Sequence, residues 1–177
     1  MQEYVDEILL SPEEILTRVN ELGKSISQDY RGIELFLIGI LRGSFVFIAD
    51  LVRNIDIPVI LDFMAISSYG GNVASSGVVK ILKDLDENIS GRHVLIVEDI
   101  IDTGLTLGYL FNILRARKPE SLKICTLLDR SARRIVDLPI AYAGFKIPDT
   151  FVVGYGLDYR QRYRNLPYIA KLRLVNE

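Results

Sequence analysis

The chain has 177 residues, 49% apolar and 25% charged, with 9 Tyr, 7 Phe and no Trp. That is the size of one domain, and such a composition buries roughly 70% of its unfolded surface without disulfides or a structural metal, which excludes a disordered chain. Lys and Arg number 21 against 23 Asp and Glu, a formal charge of -2, so no global field gathers nucleic acid or an acidic membrane and any anion binding has to be local.

The opening Met1-Gln2-Glu3-Tyr4-Val5-Asp6 is acidic and lacks a leader pattern, and no apolar run reaches the ~18 residues of a membrane span. The expectation is a cytoplasmic protein. Ser11-Pro12-Glu13-Glu14 then sets a cap residue, a Pro at the first helical position and a Glu three after the cap, followed by Ile15, Val19, Leu22 and Ile26 at helical spacing. This amphipathic helix is expected to open the fold. Glu34 to Ile40 is a nearly continuous apolar run, the mark of a strand covered on both faces, and Ser44 to Val52 returns to a helical pattern. Val59 to Met64 gives another strand, and 66–77, with four Ser and three Gly, is expected to be a mobile loop. Arg92 to Val97 reads as a strand, Leu105 to Arg115 as a helix ending before Lys118-Pro119, and Leu122 to Leu128 as a strand that buries the single Cys125 as an inert thiol. A lone cysteine excludes an internal disulfide and fits a reducing compartment. Past residue 139 the segments 140–145, 151–155 and 168–174 are short and β-like, so a small β-rich lobe or edge is expected there. Alternating strands and helices make this an α/β fold with a mostly parallel central sheet, whose ligands collect at the carboxyl ends of the strands.

The chemistry concentrates at Val97-Glu98-Asp99-Ile100-Ile101-Asp102-Thr103-Gly104-Leu105-Thr106, where a buried strand meets three carboxylates and then a Thr-Gly-x-Thr helix entry. Unpartnered amides at a helix start, with the Thr103 and Thr106 hydroxyls and a permissive Gly104, suit a phosphate. Glu98 and Asp99 would repel a phosphate beside them, so their place is against sugar hydroxyls or near a magnesium-bound ligand. A phosphorylated sugar is the implied ligand. The plainer alternative is that Asp102 or Thr103 caps the helix and the other acids are solvated. G-x-x-x-x-G-K-[ST] is absent and no G-x-G-x-x-G follows a strand, which removes support for nucleoside-triphosphate hydrolysis and dinucleotide redox chemistry.

The stretch 98–106 resembles the phosphoribosyl-pyrophosphate signature of the type I phosphoribosyltransferases. Four further segments are similar to one branch, the hypoxanthine-guanine phosphoribosyltransferases of bacterial type: 39–44 (Gly39-Ile40-Leu41-Arg42-Gly43-Ser44), 62–64 with 67–70, 127–130 (Leu127-Leu128-Asp129-Arg130), and 151–159 with Arg162-Tyr163-Arg164. The resemblance implies the type I phosphoribosyltransferase fold with a small β-rich hood, the whole of 1–177 forming one domain. It implies magnesium-dependent transfer of a phosphoribosyl group from phosphoribosyl pyrophosphate to hypoxanthine or guanine, giving IMP or GMP.

By the same resemblance Glu98 and Asp99 bind the ribose, and Asp102, Thr103, Gly104, Leu105 and Thr106 bind the 5-phosphate. Asp102 accepts the purine N7 proton. Leu41, Arg42 and Gly43, with an expected non-proline cis peptide at Leu41-Arg42, bind pyrophosphate together with Arg164. Ser68 and Tyr69 form the tip of a lid. Arg130, Phe151, Val152 and Asp158 bind the base; Asp158 also helps hold magnesium, with Glu98 and Asp99 near the ribose-bound ion. Arg130 stands where the family usually has Lys, and its fork donates to a 6-oxo oxygen with a different geometry. Read without the resemblance, Arg42 could be a surface cation, Phe151 core packing and Asp158 a turn residue; His93 is taken as structural. The expected partners are the donor and a 6-oxopurine, with neither nucleic acid nor membrane, in a homodimer or homotetramer. The alternatives are a regulator that senses a nucleotide or the donor on the same fold, and a transferase for adenine or a pyrimidine.

Overall fold

Three apolar runs that read as strands buried on both faces pair side by side at the centre of the molecule, which a computed structural model describes over residues 2–68 and 79–175. They are β2 (Leu35–Leu41), β5 (His93–Ile101) and β6 (Ser121–Asp129), and they run parallel, with Leu35 opposite His93 and Val97 opposite Cys125. β3 (Val59–Ser68) extends the parallel array on one side and β7 (Ile140–Lys146) on the other. β4 (Val79–Lys83) closes one edge antiparallel to β3, giving the order β4-β3-β2-β5-β6-β7. The chain moves outward from β2 in one direction and from β5 in the other, so their carboxyl ends form a topological switch point, where an open α/β sheet leaves a crevice.

Helices cover both faces. α1 (Pro12–Asp29) and α2 (Phe45–Arg53) bury Ile15, Val19, Leu22, Ile26, Phe47, Ile48 and Leu51 against Leu35, Leu37, Leu95 and Val97. α3 (Leu105–Ala116) packs Leu107, Leu110 and Leu114 on the opposite face, against Phe36, Ile38, Val94 and Ile96. The entry of α1 follows the sequence closely: Glu14 N–H donates to Ser11 Oγ at 3.2 Å and Ser11 N–H to Glu14 Oε2 at 2.8 Å, a reciprocal cap.

A second sheet joins β1 (Gln2–Leu10), β9 (Ile169–Val175) and β8 (Val152–Val153), all antiparallel in the order β1-β9-β8. Two of the three segments expected beyond residue 139 form this small lobe together with β1, which was not expected there; the third, β7, is instead an edge strand of the main sheet. Val152, Tyr155, Leu157 and Ile169 bury into the α1/α2 core and bind the lobe to the main sheet.

Four boundaries differ from those expected of the sequence. A strand, not α1, opens the fold, because residues 2–10 find their partner in β9 at the far end of the chain. Residues 66–68 of the expected loop continue β3, paired with Lys80 and Val79, while 69–77 lie outside the described residues. β5 does not stop at Val97: pairing with β6 continues to Ile101 opposite Asp129, so Glu98 and Asp99 are strand residues. The strand expected over 151–155 shortens to Val152–Val153, because Gly154 and Tyr155 turn away at positive φ (100° and 50°). Cys125 is fully buried, and His93 Nδ1 lies 2.8 Å from Ser121 Oγ beside the Tyr30 ring, both in structural roles. Among the described residues no helix is long and apolar enough to cross a membrane.

Candidate active site

The switch point opens into a cleft of about 400 Å³ lined by residues 40–43, 98–100, Asp102, Thr106, Arg130, 151–152, 157–158 and Arg164. A second cavity of about 250 Å³ shares Glu98, Ile100, Asp102 and Thr106 with it and continues over Thr103, Gly104 and Leu107 to the start of α3. Segments far apart in the sequence thus converge at one place.

Val94 and Ile96 face α3 and Leu95 and Val97 face α1 and α2, but beyond Val97 the alternation is interrupted: Ile100 packs with the α1/α2 core and Ile101 with the α3 core, so Glu98 and Asp99 lie at a break in the alternation and both line the cleft. Asp99 is 9% exposed, its Oδ1 accepting from Ile100 N–H at 2.9 Å. Burial pushes its carboxyl up to about 6 against the pull of backbone amides and the Arg164 charge. Glu98 is driven further, well above the usual carboxylate range, by burial and then by the Asp99 carboxylate; its Oε2 is buried without a hydrogen-bond partner. Gly43 is required beside them, since a Cβ there would overlap the Asp99 carboxylate. The Leu41–Arg42 peptide bond just before it is cis, as the resemblance implied.

Gly104, at φ 83°, caps α3 in the left-handed region and contributes no side chain to the turn, leaving the amides at the helix start open toward the second cavity. A Thr103 hydroxyl contact to Leu105 N–H, at 3.4 Å, is long. Asp102 is not the helix cap. Its Oδ2 pairs with Arg130 at 3.3 Å and Arg133 at 3.2 Å, and its Oδ1 is buried with no partner. Arg134 Nε also donates to the Asp102 carbonyl at 3.2 Å, and its guanidinium pairs with Asp129.

Arg130 is 7% exposed and spans the cleft, donating from Nη1 to Asp102 and from Nη2 to the Thr150 carbonyl, while its Nε has no partner. Phe151 is 49% exposed at the wall, its ring edge-on to Tyr159 with centroids 5.7 Å apart, so it is not core packing. Val152 is buried beside it. Asp158 pairs with Arg164 at 2.7 Å and accepts from Gln161 N–H at 2.8 Å, so it is more than a turn residue.

Every expected site residue among those described lines one of the two cavities or adjoins one, except Ser68, which ends β3; Tyr69 lies outside the described residues. Sequence reasoning missed Arg133 and Arg134 around Asp102, and Gln161 between arginines. An Arg-Arg pair just past a strand's carboxyl end was a usable signal. Gln161 offered none.

Comparison with known proteins gives the family. Residues 6–160 match the phosphoribosyl transferase domain family. The chain is 54% identical to the hypoxanthine phosphoribosyltransferase of Salmonella typhimurium over 173 residues, covering 97% of each. It is 50% identical to the hypoxanthine-guanine phosphoribosyltransferase of Bacillus subtilis, covering 98% of this chain and 96% of that one. Its fold superposes on the crystal structure of a hypoxanthine phosphoribosyltransferase from Staphylococcus aureus with a TM-score of 0.92 at 50% identity, covering 96% and 92% of the two chains.

Proposed function

The chain belongs to the phosphoribosyltransferase family, in its hypoxanthine-guanine branch, and from that premise we propose how its cleft carries out the reaction. It is a purine-salvage enzyme that moves the 5-phosphoribosyl group of phosphoribosyl pyrophosphate to hypoxanthine or guanine, yielding IMP or GMP and pyrophosphate. The observation that carries the assignment of roles is the order of groups along the cleft: an open helix start, then partnerless carboxylate oxygens, then two arginines, with an apolar wall alongside.

In this reading the amides and hydroxyls of 102–106 take the 5-phosphate, and Glu98 and Asp99 accept from the ribose hydroxyls. Breaking the anomeric C–O bond leaves positive charge on the ribose, as in glycoside hydrolysis, and two acids at that point oppose it. Arg42, the Leu41 and Gly43 backbone, and Arg164 receive the negative charge that gathers on the departing pyrophosphate. The purine lies against Phe151, with the Val152 backbone at its edge and Asp158 near its 2-position; stacking contributes roughly 1–3 kcal/mol whatever the base. Arg130 donates to the 6-oxo oxygen, which a 6-amino group cannot replace as an acceptor. The partnerless Asp102 Oδ1 is the atom that receives the N7 proton.

Magnesium fits this donor set. No group of three or more His, Cys, Asp or Glu gathers among the described residues, but Glu98 carries an unpartnered buried oxygen beside Asp99, and Mg²⁺ is commonly held by one or two carboxylates plus phosphate oxygens. Asp158, with Glu98 and Asp99 near the ribose, would hold it, and bound there it would supply charge neutralisation to the leaving group. Ser68 and Tyr69 are assigned to the lid. The reading extends to one domain over 1–177, in the cytoplasm, as a homodimer or homotetramer without nucleic-acid or membrane partners.

A panel of hypoxanthine, guanine, xanthine, adenine and uracil, assayed with donor and Mg²⁺ for pyrophosphate release, tests it. Hypoxanthine and guanine should react and adenine should not. Turnover of adenine, or release with none of the oxopurines, would overturn the assignment.

A further inference from the structure

At the end of the cleft assigned to pyrophosphate, the two arginines converge. Arg42 Nη1 and Arg164 Nη2 donate to the same atom, the side-chain oxygen of Gln161, each at 3.0 Å. Arg42 follows β2 and Gln161 precedes β9, so a single amide joins opposite walls of the cleft. The backbone is built to present it. Gln161 adopts φ 66°, its N–H donates to Asp158 Oδ2, and Tyr159 and Arg162 close a mutual backbone bridge around it. Arg164 is further fixed by the Gly156 carbonyl at 2.7 Å and by Asp158.

Two guanidinium groups meeting at one point repel, and a neutral carbonyl oxygen offsets that only partly. An anionic oxygen in the same position would make charge-assisted bonds of roughly twice the strength. The Gln161 oxygen therefore sits where a phosphate oxygen would bind best. We propose that Gln161 is a positioning residue for the leaving group, holding Arg42 and Arg164 converged on one point and yielding them to pyrophosphate. This rests on the assignment of those arginines in the proposed function.

The choice of an amide at 161 has a physical reason. It orders two long, flexible side chains that would otherwise lose their freedom on binding, which is preorganisation. Being uncharged, it is displaced without breaking an ion pair. A carboxylate at 161 meets the same geometry but pairs with both guanidinium groups and competes with pyrophosphate. A methyl group takes this partner from Arg42 and leaves Arg164 held by Gly156 and Asp158 alone, so the two no longer converge on one point.

Inorganic pyrophosphate with Mg²⁺ and, separately, IMP are titrated calorimetrically into the wild type, Gln161→Ala and Gln161→Glu, and KM is measured for the donor and for hypoxanthine. Pyrophosphate affinity and donor KM should worsen about threefold in the alanine variant, the scale of one lost side-chain ordering, and at least about tenfold in the glutamate variant. IMP affinity and the hypoxanthine KM should stay within about twofold of wild type, because neither ligand reaches the pyrophosphate end. A glutamate variant that binds pyrophosphate as tightly as wild type overturns the proposal, as does equal loss of pyrophosphate and IMP in both variants, which would mean a collapsed loop. A wild type that fails to bind IMP would instead strike the proposed function itself.

Discussion

Asp99 is held in the folded chain at a free-energy cost that its function justifies, and Asp99→Asn measures that cost. The unfolded chain releases the Asp99 proton near 3.8, whereas the folded chain keeps it to about pH 6. Between those values the folded state binds more protons than the unfolded state, so stability falls as pH rises through that window and levels off above it. The difference corresponds to about 3 kcal/mol at pH 7.5. Asparagine keeps the shape and the oxygen that accepts from Ile100 N–H, and it removes a charge from beside Glu98. Without donor or Mg²⁺, the variant should melt roughly 6–12 °C higher than wild type at pH 7.5, taking 2–4 °C per kcal/mol for a domain of this size. At pH 4 the advantage should shrink below about 1 kcal/mol. Calorimetric melting of both proteins across pH 4–8 is the assay, with donor binding measured alongside and expected to weaken. A variant no more stable than wild type at pH 7.5, or a gain that does not vary with pH, would refute the claim that burial of this carboxylate opposes folding.

Two further outcomes follow from the cleft. Asp102→Asn should lower kcat by about 10²–10⁴, the usual contribution of general base catalysis, while donor affinity changes little, since the helix-start amides remain; steady-state kinetics that lose both equally would remove the proton-acceptor role. Arg130→Lys should change the ranking of hypoxanthine, guanine and xanthine by kcat/KM without abolishing turnover, because a single ammonium replaces a fork anchored at both Asp102 and Thr150. An unchanged ranking would take Arg130 out of base recognition.

The parts of the fold legible in the sequence are those whose partners are local or whose pattern is unbroken. The capping box at Ser11-Glu14 and the apolar run of β2 each declare themselves within a few residues. β1 does not, because Tyr4, Val5, Ile8, Leu9 and Leu10 are mixed with acids and make sense only against β9, on the far side of the chain. The same division holds in the cleft. The acids and threonines of 98–106 are contiguous, so residue type and spacing are enough to mark them as a candidate site. The clamp on Asp102 by Arg130 and Arg133, the seat of Asp99 against Gly43, and the bridge at Gln161 are contacts between segments, and no local pattern encodes them.

Charge distribution connects these observations. The chain as a whole is slightly acidic, yet Arg42, Arg130, Arg133 and Arg164 all stand at the cleft, each bonded to an oxygen of the protein itself. These bonds have to be exchanged when a ligand binds, so on the proposed roles the site gains selectivity from rearrangement: the ligand displaces Gln161 from Arg42 and Arg164, or draws Arg130 from Asp102. A ligand that presents anionic oxygens at the diphosphate end and an acceptor at the base end does both, whereas inorganic phosphate or an aminopurine does one at most. The two unpartnered carboxylate oxygens in the cleft, on Glu98 and Asp102, are where the structure leaves hydrogen bonding for a ligand to complete; the proposed function fills them with the ribose and the purine.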